Sequence, residues 1–416
     1  AGLTILVQFP DDPSTPAPDA VNFPTNRTKM ERWSNETGYT DDGNTGSVKD
    51  YYFDQSNGNL TLTQVVTAVV TMPRPRSYYN YSDYPTNQTV RPDSGQAGRL
   101  LVTDAINKLK GDGFNFSGLS VDSSNRVLAT SLLFAGPDSG NWAKGLWPHA
   151  WTLASGINVG TVAAPRYIQR YQITNQANSS PVIGTFIHEL GHLLLDYPDL
   201  YDTDPSNGDS EGIGQHCLMG SGNYQNGGRT PAPINLYLKG ISGWGNITDL
   251  TPGSLLDAAL PSTGNVGYRI RKPGKTTEYF LFENRGTGDK WTTGALDKGI
   301  IAWHIDETVN GNDNQQMTSS SHYEVSLEQA DGRFDLEQGN NRGDSFDFFD
   351  SSNPFLTNDT NPDADWWDGN PSSIRMEVTS APGASMNVKF GGTAPTVYLG
   401  VSPTTFNAPA AGGFIR

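Results

Sequence analysis

The first apolar run, Leu3–Phe9, is short and continuous and ends at Pro10-Asp11-Asp12, the pattern of a buried strand. Ser47–Val70 opens with an aromatic segment and passes an Asn57-Gly58 turn signal. It then alternates over Leu60–Val70, which predicts a strand. Ala97–Lys110 places Leu101, Ala105 and Leu109 at helical spacing and stops at Gly111. Val127–Ala135 reads as a second buried strand and Tyr167–Ile173 as a third, half exposed. Ser180-Pro181 offers an N-cap and a first-turn proline to the long helix that follows. Strands and helices mix without a βαβ rhythm, so the predicted class is α+β.

After about Leu250 the texture changes. Tyr268–Arg271, Tyr279–Asn284, Gly299–Ile305, Tyr323–Gln329 and Ile374–Thr379 are short β-type runs between Gly, Asp and Asn loops. They predict a β-rich, sandwich-like unit over 251–390, packed on the unit formed by 1–250. Residues 391–416 read as a linker or the truncated start of an immunoglobulin-like module.

Composition narrows the function classes. A chain of 416 residues suits two to three domains. No apolar run approaches the roughly 18 residues that span a bilayer, so no membrane span is expected. The formal charge of −16 argues against nucleic acid and anionic membrane surfaces as partners. Spread acidity fits a secreted, soluble surface, and locally it fits calcium-binding loops. Cys217 is the one cysteine, so no intrachain disulfide forms, and a buried inert thiol is the expectation. The start at Ala1, directly in a strand-like run, suggests a processed form with any inhibitory propeptide removed.

The helix Pro181–Leu195, PVIGTFIHELGHLLL, carries the chemistry. Ile183, Phe186, Ile187, Leu190 and Leu194 form a wide apolar stripe. Thr185, His188, Glu189 and His192 share the narrow remaining face. Such a helix is mostly buried, and buried imidazoles and a carboxylate cost several kcal/mol unless partnered. Residues four apart have Cβ atoms about 5–6 Å apart, close enough for both rings to reach one ion. Glu189 then stands beside the ion as a general base, the HExxH arrangement of zinc hydrolases. In a random chain with six His and 44 acidic residues, this match is expected roughly 0.01 times.

A catalytic zinc keeps three protein ligands and an open position. The third ligand comes from the stretch after the helix. Asp199, brought back by Pro198, is favoured. Asp202 and Asp196 are the alternatives, Asp196 being better placed to orient a ligand imidazole.

HELGHLLLDYPDLYDTD, followed by GQHCLMGSGNY, resembles the immune inhibitor A family of secreted metallopeptidases, a branch of the metzincin zinc proteases. LTILVQFPDD, SVKDYYFDQSNGNLTLT, WPHAWTL, PAPINLYLKGISGW, GIIAWHIDE, YEVSLEQADG and NRGDSFDFF extend the resemblance along most of the chain. The resemblance implies a metzincin-like catalytic unit over 1–250, with a mixed sheet and an active-site helix. It implies His188, His192 and Asp199 as zinc ligands, Glu189 as general base and Met219 in a turn beneath the metal. One departure stands out: Leu195 replaces the usual glycine, and the aspartate arrives one residue late. Tyr224 and His149 are candidate donors to the transition state. Calcium is expected on one of two acidic stretches, through Asp202, Asp204 and Asp209 or through Asp344 and Asp347 with Asp363, Asp365 and Asp368 nearby. The leading expectation is a secreted zinc endopeptidase acting on extracellular proteins and peptides. The alternatives are a catalytically silent adhesin on the same fold and a zinc hydrolase of non-protein amides.

Overall fold

A computed structural model describes residues 1–11, 21–80, 94–138, 145–204, 206–314 and 317–392. They form a mixed α+β fold with several sheets and few helices. The first sheet contains β1 (Gly2–Gln8), β2 (Gln64–Thr71), β3 (Thr130–Ala135), β4 (His149–Asn158) and β5 (Tyr167–Gln176), in the order β2-β1-β3-β5-β4. Neighbours are parallel except β4, which runs antiparallel to β5 at the edge.

The helices are α1 (Arg27–Asn35), α2 (Val48–Gln55), α3 (Arg76–Tyr79), α4 (Ser94–Gly111), α5 (Gly184–Leu195) and α6 (Leu236–Ile241). The two faces of β1 explain its unbroken apolar run. Leu3, Ile5 and Val7 pack with Leu101, Val102 and Ala105 of α4, whereas Leu6 joins the core of Trp33, Tyr51 and Ile187 from α1, α2 and α5. No described helix is long and apolar enough to cross a membrane.

Beyond α6 come β6 (Asn246–Leu250), β7 (Leu256–Pro261), β8 (Val266–Lys272), β9 (Lys275–Asn284), β10 (Ile300–Asp306), β11 (Val325–Leu327), β12 (Phe355–Thr357), β13 (Arg375–Val378) and β14 (Ser385–Phe390). They form a sheet ordered β11-β10-β9-β8-β6 and another ordered β12-β13-β14-β7. In the first of these, β9 and β10 are buried on both faces. Tyr279 and Leu281 of β9 and Ile301, Trp303 and Ile305 of β10 join the core containing α5. Phe280, Phe282, Ile300 and Ala302 pack against the last sheet. Period-two side chains thus weld the β-rich unit onto the helix-bearing one.

Several local expectations change. The predicted strand over Leu60–Val70 occupies Gln64–Thr71, and the aromatic segment before it is α2, closed by a Ser47–Asp50 capping box. Helix α5 starts at Gly184, not at Ser180-Pro181. Asn44 Nδ2 binds the Pro181 carbonyl at 2.9 Å and Lys29 Nζ the Ser179 carbonyl at 2.7 Å, which holds the approach in a non-helical path. Residues 391–392 follow β14, and the rest of the expected linker or module, 393–416, lies outside the described residues.

Candidate metal centre

Helix α5 can begin where it does because Gly184 has no side chain; a Cβ there would lie 2.0 Å from the Asn223 carbonyl oxygen. The helix continues through Leu195 and turns at Asp196, which adopts the left-handed conformation (φ 53°). Aspartate is one of the few non-glycine residues that tolerates this. Beyond this turn the chain brings Asp199 back to the helix.

His188, His192 and Asp199 converge. The two Nε2 atoms are 3.2 Å apart, and each lies 3.1 Å from Asp199 Oδ1. For ligands bound tetrahedrally at about 2.0–2.1 Å, donor atoms are about 3.3–3.4 Å apart, so the three edges match one face of a zinc tetrahedron closely. Both outer ring nitrogens are committed: His188 Nδ1 donates to the Leu218 carbonyl at 2.9 Å, and His192 Nδ1 to the Tyr197 carbonyl at 2.5 Å. In neutral rings this leaves two Nε2 lone pairs facing each other and a carboxylate oxygen. That arrangement is repulsive without a cation or proton between them. Burial alone would raise the Asp199 carboxyl, but the two imidazoles outweigh it and hold it well below the usual range.

Among the described residues this is one of two groups whose side chains could hold a metal. Met219 is fully buried against the same helix, with its sulfur 2.8 Å from where a Cβ on Gly191 would stand. Asp196 does not orient an imidazole. It is exposed and paired with Arg170, while backbone carbonyls do the orienting. Asp202 accepts from Ser210 Oγ at 3.0 Å and from the Asp204 amide at 2.8 Å, within its own loop.

Glu189 is 6% exposed, and burial raises its pKa against the lowering effect of the two imidazoles. Together with His188 it faces a cleft of about 800 Å³ whose walls include Trp147, Thr185, Tyr201 and Tyr224. Tyr224 is 57% exposed there. Tyr201 stacks over His188, ring centroids 6.2 Å apart, and burial followed by the nearby Asp199 and Glu189 charges keeps its hydroxyl protonated. Sequence reasoning missed Tyr201. It lies two residues beyond Asp199 in a stretch with no regular secondary structure, so no periodicity marks it. His149 lies elsewhere. Its Nδ1 bonds the Trp147 carbonyl at 2.7 Å and its Nε2 faces Tyr171 Oη at 3.3 Å, against Gly98 of α4. Burial lowers its pKa.

No family model matches this chain. No curated protein matches it as a relative either.

The acidic candidates fall in different places. Asp204 and Asp209 are exposed on the 202–211 loop, with Asp204 accepting from the Ser206 amide at 3.0 Å. Asp347 is buried and paired with His216 at 2.8 Å, so it is already satisfied. Asp344 instead groups with Asp331 and Asp335, three carboxylates whose oxygens lie within 4.8 Å of one another. Asp363, Asp365 and Asp368 do not join them. Cys217 is buried two residues before Met219, its thiol pushed up by burial, and its sulfur accepts the Asn235 amide at 3.4 Å.

Proposed function

We propose that this chain is a secreted zinc endopeptidase with a catalytic unit of metzincin type, similar to the immune inhibitor A peptidases. The observation that carries the reading is the triangle of two Nε2 atoms and Asp199 Oδ1, with edges of 3.1–3.2 Å, beside a buried carboxylate in an open cleft. Two imidazoles and one carboxylate suit zinc, and three protein ligands are the number found in catalytic rather than structural sites. When bound, the ion would polarise a scissile carbonyl and acidify the attacking water.

The remaining work belongs to side chains. Glu189 takes the proton of the attacking water and returns it to the leaving amine nitrogen. The raised pKa that burial gives it suits a group that must hold a proton between those two steps. Tyr201 and Tyr224 offer hydroxyl donors to the carbonyl oxygen as it gains charge. Trp147 and Pro148, just before the edge strand β4, line the same cleft. An extended peptide can add its main chain to such an edge, which favours proteins and peptides as substrates. Calcium is proposed at Asp331, Asp335 and Asp344, where hard oxygen ligands gather. Adding calcium to chelated, zinc-restored protein should raise Tm; no shift would remove calcium from the account.

Casein hydrolysis should vanish on chelation and return with zinc. Glu189→Gln should lower it about 10²–10⁴-fold with zinc content unchanged. Undiminished hydrolysis by that variant would overturn the reading.

A further inference from the structure

The two histidine ligands ride on a helix, but Asp199 sits in the irregular stretch after it, so backbone bonds decide where its carboxylate stands. The next residue, Leu200, is fully buried and fixed three ways. Its amide donates to the Met219 carbonyl at 2.8 Å. Its carbonyl accepts from the Ile213 amide at 2.9 Å and from Asn312 Nδ2 at 3.2 Å. Met219 and Ile213 belong to neighbouring loops, whereas Asn312 comes from the connection between β10 and β11, 112 residues along the chain.

Asn312 is 1% exposed, and its other bonds run along β11. Nδ2 donates to the Val325 carbonyl at 2.9 Å and Oδ1 accepts the Val325 amide at 3.1 Å. Its side chain thus takes the place of a ladder partner between β11 and the ligand segment. Asp313 extends the clasp: its Oδ1 accepts from the Thr203 amide at 2.7 Å and Thr203 Oγ1 at 2.9 Å. Gly311, in the left-handed region at φ 74°, brings this backbone close to Asp199; a Cβ there would stand 3.9 Å from the Asp199 carbonyl oxygen.

We propose that Asn312 is a positioning residue of the metal centre. Through the Leu200 carbonyl it fixes the Asp199 carboxylate beside the two imidazoles, so the β-rich unit sets the affinity for the ion. This rests on the zinc reading above. Asn312 touches neither ligand atoms nor substrate; it acts through the Leu200 peptide.

Asn312→Asp keeps the size of the side chain but turns a donor into an oxygen facing two carbonyls. Zinc affinity, measured on the full chain by competition with a chromogenic chelator, should fall about 10–100-fold. Amide exchange at Leu200 and Ile213 should quicken in metal-free protein. Ile374→Ala, in the core between the last two sheets, is the control for general destabilisation. It should lower Tm and leave zinc affinity within about twofold, since it contacts no residue near the site. If Asn312→Asp does not fold, Asp313→Ala, at the partly exposed end of the clasp, should still weaken zinc binding several-fold. Unchanged affinity in the clasp variant that folds, or an equal loss in the Ile374 control, overturns the proposal while the peptidase reading stands. A wild-type chain that binds no zinc sinks both.

Discussion

Glu337 is 7% exposed and hydrogen-bonded by Gln329 Nε2 at 2.6 Å. Burial, aided by the charges of Glu328 and Asp347, raises its pKa from 4.5 to about 8. The folded chain therefore binds a proton that the unfolded chain releases. That contribution is complete below pH 4.5 and is lost as pH climbs to about 8. Glu337→Gln keeps the acceptor oxygen and removes the titration. Its Tm advantage over wild type should grow from about pH 4.5 to pH 8 and then level off; a pH-independent difference would contradict the assignment. Glu189 is buried to the same degree, and there too burial raises the carboxyl, while His188 and His192 pull the other way. At this scale the helix-borne residues were legible, because i, i+4 spacing alone brings His188 and His192 together. Asp199 stayed one of three choices in sequence, since loop geometry selects it. His149 was open in sequence between a donor and a structural hydrogen-bonder, and its ring bonds to the Trp147 carbonyl and faces Tyr171, a direction nothing in WPHAWTL specifies.

At the scale of elements, glycines report how tightly α5 is seated. Gly184→Ala would push a methyl group into the Asn223 carbonyl and within 3.0 Å of Gly228 Cα. It should cost about 1–3 kcal/mol in chemical denaturation and weaken zinc binding by displacing the helix. Gly111, at the end of α4, has open space where a Cβ would stand, with no atom within 4 Å and no positive φ. Gly111→Ala should be neutral or stabilise by up to about 1 kcal/mol. A matching loss at both sites would argue against the close seating of α5. The buried elements β1, β3, α4 and α5 were readable because continuous apolar runs and 3.6-residue stripes mark them. Strand β4 was not, since at the sheet edge only Leu153 is buried and no alternation shows. Helix α1 has little apolar content; its N-cap Asn26, accepting the Lys29 amide at 2.9 Å, was its one local signal.

At the scale of the whole molecule, the texture change near Leu250 marks a change of secondary structure, while the core runs across it. Leu281, Trp303 and Val325 share one apolar cluster with Ile187, Leu190 and Met219. Thermal unfolding of metal-loaded protein should therefore give a single calorimetric transition, and two well-separated transitions would contradict a shared core. A buried ion pair ties the same parts together. Arg285 binds Glu283 at 3.0 Å and reaches the carbonyls of His216 and Ile234, at the two ends of the segment that carries Met219. Burial raises the Glu283 carboxyl, but Arg285 more than reverses this. Arg285→Ala would leave that carboxylate buried and unpaired, at a cost of about 3–5 kcal/mol in denaturant titration. Long-range links of this kind have no sequence signature, because no periodicity relates residue 285 to residue 216.

The proposed activity rests on one zinc ion held by His188, His192 and Asp199. Diffraction from zinc-replete crystals on either side of the zinc absorption edge tests it most directly. An anomalous peak is expected about 2.0–2.1 Å from His188 Nε2, His192 Nε2 and an Asp199 oxygen. Density without an anomalous peak there, or a peak held by other residues, would contradict it.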